Sequence, residues 1–324
     1  MKRKGFIKNI PVLLPWLLLL LAVGLVFSQV ERPAALVNVG VQWARVGVLA
    51  IVMTAIILSG GIDLSVGSMI ALSSVAMGLL WKAGWPAEVA SGLAVLVGAT
   101  IGAINGFLVV LGLSPLVATL ATMAFYSGLA LMLCGGEKIT KLPDPAIDTS
   151  QIAGWPSEYW ILAFVFAAAM LLVHGTRFGR WCYAIGDNPM AARFAAIPVR
   201  RTQWWLYTAS GMVSGLLAVV YTVRKGAIPD AHRGIELEAI ACVVVGGTLI
   251  TGGRGGILKT LLGIVVIANI DIGLFFLSGR FKFIGADARL MVVGVLLIVV
   301  AVWNEWLART DDRVETLNEA AERI

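Results

Sequence analysis

The feature that most constrains this chain is a succession of apolar stretches, each close to the length a helix needs to cross a bilayer. They run at about 11–30, 41–58, 66–81, 88–111, 115–134, 159–174, 204–223, 236–252, 257–278 and 289–308. A spanning helix uses roughly 20 apolar residues, so these segments consume most of the 324 residues and leave little for a soluble domain. Composition agrees, with 59% apolar and 14% charged residues, against about 45–50% and about 25% in soluble domains. The expected fold class is all-α: a polytopic transmembrane helical bundle of about ten spans, the shorter of which are candidate half-spans.

Lys2, Arg3, Lys4 and Lys8 precede the first apolar run, which is too long for a signal peptide and lacks a small-residue cleavage site. The reading is an uncleaved span behind a cytoplasmic tail at 1–10. An even span count puts the tail at 309–324 on the same side, with a transmembrane domain over 11–308 between them. The overall Lys and Arg bias is weak. The first tail and the loop at 175–203, which carries Arg177, Arg180, Arg193, Arg200 and Arg201 against Asp187 alone, agree with a cytoplasmic placement. The tryptophans, Trp43, Trp81, Trp155 and Trp204 among them, fall near expected span ends or in loops, where an amphipathic ring favours the headgroup level.

A net charge of +6 comes with no basic arm or aromatic-interleaved stripe in a polar context, so nucleic acid is not expected as a partner. Cys134, Cys182 and Cys242 are odd in number and widely separated, and His174 and His232 are the only histidines. Neither a disulfide framework nor a metal or histidine-based hydrolytic site is expected.

In lipid, helices associate through close packing of small residues. Gly98, Gly102 and Gly106 recur every four residues along one face of the fourth segment, and Gly211 and Gly215 do so in the seventh, which predicts packing grooves. Two glycine-rich breaks interrupt the apolar pattern, Ser59 to Gly67 and Gly246 to Gly253. Non-helical backbone at membrane depth persists only inside protein or beside a water-filled cavity. Both breaks are therefore candidates for a translocation path or its gate, with Gly60, Gly61, Asp63, Asn105, Gly246 and Gly247 as candidate residues. Aligning Gly60-Gly61 on Gly246-Gly247 hints at an internal repeat, with Ser65 on Thr251.

Two roles are open to Asp63, capping the N–H groups of the helix that follows or lining the path. Asn105 is expected to hydrogen-bond across helices. Asp271 lies within a span, where an ionised carboxylate is expensive unless paired or hydrated, and is expected near enough to the outer interface to be wet. The segment from Gly252 to Thr260 superficially resembles a phosphate-binding loop, but Leu258 stands where glycine must precede the lysine. The chain is expected to hold no nucleotide or other cofactor.

In the loop at 175–203, Asn188 is a good N-cap, Pro189 suits the first helical position, and Met190 to Ala196 are mostly helix formers. Pro198 discourages helix at Ile197. A short capped helix is predicted, lying either on anionic headgroups or against a partner protein.

These residues also carry a resemblance. ILSGGIDLSVGS from Ile57 to Ser68, GAINGFLV from Gly102 to Val109 and SPLVATLATM from Ser114 to Met123 occur in order. They are followed by the segment from Thr176 to Val199 and by ELEAIACVVVGGTLITGGRGG from Glu236 to Gly256. Together they resemble the membrane-spanning permease subunits of ribose-type bacterial ABC importers.

The resemblance implies a multi-pass inner-membrane permease, without bond chemistry of its own, that translocates a monosaccharide or similar small polar solute. It implies a cytoplasmic ABC ATPase subunit that uses ATP, an extracytoplasmic solute-binding protein, and a second permease copy or paralogue. The ATPase-coupling loop maps onto Gly186, Asn188, Pro189, Ala191, Ala192 and Arg193. Asp187 and Ala196 depart from the family pattern, standing where relatives often have glycine. The loop from Ala227 to Gly234 is unusually polar and basic, which leaves the solute and its binding protein open. The rival reading is an ion-coupled secondary transporter, which needs intramembrane charge such as Asp63 or Asp271.

Overall fold

The structure is a computed structural model, and it describes residues 33–140 and 151–280, with residues 291, 294, 295, 298, 299 and 302 beyond them. The expected first span at 11–30 and the tails at 1–10 and 309–324 lie outside the described residues, as does most of the segment at 289–308. Among the described residues the architecture is helical apart from a two-stranded hairpin.

Six helices carry stretches long and apolar enough to cross a membrane. They are α1 (Pro33–Leu58), α3 (Ala87–Val110), α4 (Pro115–Leu133), α5 (Ser157–Gly175), α8 (Val199–Lys225) and α10 (Ile257–Arg280). Four shorter helices complete the set: α2 (Val66–Lys82), α6 (Arg177–Asp187), α7 (Pro189–Phe194) and α9 (Ile235–Val245). The hairpin pairs β1 (Gln151–Ile152) with β2 (Trp155–Pro156), and positive φ at Ala153 and Gly154 closes it.

The expected span at 236–252 needs correction. Helix α9 has 11 residues, about 16 Å at 1.5 Å per residue, against a hydrocarbon core of about 30 Å. The apolar pattern continues through Leu249 and Ile250, but the backbone turns at Gly246 and Gly247, the latter at φ +87°. Helix α9 is a half-span.

Helix α1 sits at the centre, packed by α5, α8, α9 and α10, while α2 lies against α3, α4 and α8. The most intimate pair is α3 with α8. A Cβ added to Gly102 would stand 2.8 Å from the Gly211 Cα, and one added to Gly98 would stand 2.8 Å from the Gly215 Cα. The two glycine faces read from the sequence are thus each other's partners, and backbone approach replaces side-chain interdigitation there.

Polar side chains inside the bundle pair across helices. Thr54 and Thr260 share a hydrogen bond of 2.7 Å, as do Ser74 and Thr222. Arg224 pairs with the buried Glu158 at 2.9 Å, fastening the end of α8 to the start of α5. The Trp43 indole nitrogen donates to Asp271 at 3.0 Å. Asp271 is only 5% exposed, so a protein partner satisfies it where sequence suggested water. Trp43 and Trp81 are buried as well, and the polar tip of Trp43 serves the bundle, not a headgroup layer.

Candidate functional site

The break between α1 and α2 begins with a turn at Ser59 and Gly60, where Gly60 adopts φ +77°. Only glycine takes that conformation without strain. The chain then runs without regular structure through Gly61, Ile62 and Asp63 and turns at Leu64 and Ser65 before α2 starts at Val66. Asp63 is fully buried. Its Oδ1 accepts from the Ser65 backbone N–H at 3.0 Å and the Ser65 hydroxyl at 2.6 Å, and its Oδ2 accepts from Ser210 of α8 at 2.8 Å.

Asn105 of α3 extends this network. Its amide donates to the Ser65 hydroxyl at 2.7 Å and its carbonyl accepts from Tyr126 of α4 at 3.0 Å. The Tyr207 hydroxyl holds the Ile62 carbonyl at 3.2 Å. Side chains of α3, α4 and α8 therefore meet at one non-helical segment between α1 and α2, and the Ile62 carbonyl and Ser65 N–H of that segment are satisfied inside protein, as membrane depth demands. Asp63 holds the backbone N–H of Ser65, and the cross-helix role expected of Asn105 is seen. Sequence gave no sign of Ser210, Tyr126 or Tyr207, whose partners lie 147, 21 and 145 positions away.

The second break meets the first, though not through the glycines named from the sequence. Gly246 packs on the start of α10, where an added Cβ would stand 2.7 Å from the Lys259 carbonyl carbon, and Gly247 has open space beside it. Contact comes from Gly252 and Gly253. A Cβ on Gly252 would stand 2.9 Å from the Gly60 nitrogen, and the Gly253 N–H donates to the Leu58 carbonyl at 3.1 Å. The internal repeat does not extend, because Ser65 directly precedes α2 whereas Thr251 lies well before α10.

The third participant is Gly186, near the end of α6. A Cβ there would collide with the Leu58 carbonyl oxygen and the Gly253 nitrogen. Tyr183, one turn earlier, donates to the Gly255 carbonyl at 3.1 Å. Leu58, Gly60, Gly186, Gly252 and Gly253 thus form one junction where α1, the second break and α6 touch backbone to backbone.

Helix α6 was not read from the sequence. Its signals are Thr176, whose hydroxyl accepts from the Phe178 N–H at 3.1 Å, and the spacing of Phe178, Cys182 and Ile185 along one face. Cys182 is fully buried, and that burial pushes its thiol up to about 12.

Helix α7 forms as expected, its 6 residues a little short of two turns. The Asn188 side chain accepts from the N–H groups of Met190 and Ala191 at 3.0 Å each, with Pro189 at the first position. Ala192 is buried against Ile185 and Val199, while Ala191 and Arg193 face outward. Met190 and Phe194 are also exposed, Phe194 at 85%. This helix stands on α6 and presents apolar and cationic side chains away from the bundle. Ala196 follows it at φ +58°, a conformation that glycine adopts without strain and alanine does not. Among the described residues no group of three or more His, Cys, Asp or Glu is placed to hold a metal ion.

The architecture is that of a polytopic membrane protein: an apolar multi-helix bundle with non-helical breaks inside it and a capped helix projecting from it. Residues 35–301 match the family of branched-chain amino acid transport system permease components, and the chain belongs to that family. The ribose import permease protein RbsC of Bacillus subtilis is 34% identical over 304 residues, covering 92% of this chain and 93% of the relative. The autoinducer 2 import system permease protein LsrD of Yersinia enterocolitica is 36% identical over 291 residues, covering 83% and 86%. RbsC of Escherichia coli K12 is 33% identical over 279 residues, covering 82% and 84%. No solved structure matches the chain. Within the family the chain groups with the ribose-type ABC importer permeases, multi-pass inner-membrane transport components and not enzymes.

Proposed function

We propose that this chain carries a small sugar or similar polar solute into the cell, taking it from an extracytoplasmic binding protein and drawing its energy from a cytoplasmic ATPase. The names of the relatives, ribose and autoinducer 2 importers, support that solute class. The chain uses no cofactor of its own. It works beside a second permease, either another copy or a paralogue, and both termini lie in the cytoplasm with the arginine-rich loop at 175–203.

The observation that carries the mechanism is the contact of Gly186 with Leu58 and Gly253. The ATPase docks on α7 through Met190, Arg193 and Phe194. Movement of α7 reaches α6 through Ala192 and Ile185, and Gly186 delivers it to both breaks without an intervening side chain. Interior packing is dense and resists gradual deformation, so the breaks shift as units between inward-open and outward-open arrangements. Gly60, Gly61, Gly246 and Gly247 let the backbone bend there, while Asp63 and Asn105 hold the first break to its neighbours.

The test is solute uptake by vesicles that contain the permease, its ATPase and its binding protein. Uptake requires ATP in the vesicle lumen, and replacing Asn188 to Arg193 with a flexible linker abolishes it. Uptake driven by an ion gradient without the ATPase contradicts this reading, as does full uptake by the linker variant.

A further inference from the structure

The loop between α8 and α9 does not stay at the surface. Asp63 meets Ser210 near the middle of α8, and Ser74 meets Thr222 about three turns further along. These pairs bracket Gly67 on α2, so Gly67 lies at the depth of α8's central turns. At Gly67 an added Cβ would stand 2.9 Å from Glu236 Oε2 and 3.2 Å from the Ile235 side chain. The chain after α8 therefore folds back into the bundle, and α9 begins at depth as a half-helix.

A cavity of about 340 Å³ opens where these elements meet, within the 300–1,000 Å³ range of small-molecule pockets. Gly67 and Ser68 of α2, Ser127 of α4, and His232, Arg233 and Glu236 line it. His232 is 4% exposed and its Nε2 has no hydrogen-bond partner. Leaving a buried polar group unpaired costs about 1–3 kcal/mol, and His232 is among the residues that line the cavity, so a ligand hydroxyl that reaches its imidazole relieves that cost.

Tyr221 packs its ring edge-on against the imidazole at 4.3 Å between centroids and fixes its orientation. Glu236 uses Oε1 to accept from the Gly234 N–H at 3.1 Å. The Ser68 hydroxyl donates to Ser65 at 2.7 Å and keeps its acceptor capacity.

Resting on the permease reading above, we propose that this cavity is a binding site within the permease for a neutral polyhydroxylated solute. The lining offers hydrogen-bond donors and acceptors in mixture, which suits hydroxyl groups that serve as both. Its one carboxylate, Glu236, and its one guanidinium, Arg233, offset each other in formal charge, so the lining as a whole favours neither an anionic nor a cationic solute. Ala71, Met123 and Ala124 supply an apolar wall that suits the C–H face of a sugar ring. Gly67 is required because any side chain there would press on Glu236 and on the His232 carbonyl.

The test measures the melting temperature of the purified full-length permease in lipid nanodiscs with 50 mM of each probe. The neutral probes are D-ribose, D-xylose, D-galactose and myo-inositol, and the charged probes are ribose 5-phosphate and glucosamine. At least one neutral probe raises the melting temperature by about 3 °C or more, and the charged probes do not. That shift disappears in His232→Ala and Glu236→Gln, and in Ala71→Trp, which fills the cavity; variants are compared only where they melt cooperatively without probe. The site is overturned if no neutral probe shifts the transition, if a charged probe shifts it equally, or if the variants keep the shift. ATP-driven uptake by wild-type vesicles is scored separately, so loss of the site leaves the permease reading standing and loss of uptake does not.

Discussion

Gly186 and Gly252 touch through their backbones: a Cβ built on Gly252 would stand 3.0 Å from the Gly186 Cα. One belongs to the loop that bears the exposed helix α7, the other to a break between two membrane-embedded helices. A contact without side chains cannot adapt by rotamer changes, so a displacement on one side is felt on the other. That relationship is the physical basis for treating α6 and α7 as a coupling element.

The α3–α8 interface makes a stability prediction. Replacing Gly102 or Gly211 with Val inserts atoms where backbone already lies 2.7–2.8 Å away, and overpacking of this kind costs about 1–3 kcal/mol. Both variants melt several degrees below wild type in detergent, whereas Gly92→Val, at a position with open space, melts as wild type does.

The surroundings of Asp63 separate a structural carboxylate from an ion-coupling one. In Asp63→Asn the side-chain oxygen still accepts from Ser65 and the amide donates to the Ser210 hydroxyl, so the variant folds and retains most of its ATP-driven uptake. Asp63→Leu strands Ser65 and Ser210 and lowers stability by about 1–3 kcal/mol per unsatisfied group. Loss of uptake in a well-folded Asp63→Asn variant indicates that the charge itself is needed.

Thiol reactivity reports on the seating of α6. Cys182 is buried and its thiol pushed up to about 12, so little thiolate exists near neutral pH. Maleimide labelling of native membranes modifies the half-buried Cys134 first. Labelling of Cys182 rises about tenfold per pH unit from pH 7 to 9 while the protein stays folded. Rapid labelling of Cys182 at pH 7 means that α6 is not packed as described.

Ala196, at φ +58°, carries a penalty that glycine lacks, about 1–2 kcal/mol. Ala196→Gly raises the melting temperature without changing uptake. A neutral or destabilising effect means that the chain leaves α7 by a different turn.

What was legible in the sequence follows from the range of each signal. The long spans announced themselves by apolar length, and the glycines of α3 and α8 by their four-residue period. Asn188 and Pro189 marked the start of α7 because capping is local. Helix α9 was overextended because hydropathy does not register the positive φ of Gly247. The Asp63 network and the junction at Gly186 were hidden because their members are brought together by packing, and no local pattern ties Ser210 to Asp63 or Gly186 to Leu58.

The most direct measurement of the coupling account is solute uptake per ATP hydrolysed in vesicles that carry the assembled importer with Gly186→Ala. The added methyl meets the Leu58 and Gly253 backbones. Overpacking costs about 1–3 kcal/mol, and about 1.4 kcal/mol is a factor of ten. The account predicts an importer that assembles with its ATPase and hydrolyses ATP, with uptake per ATP reduced about tenfold. Wild-type uptake per ATP in that variant contradicts it.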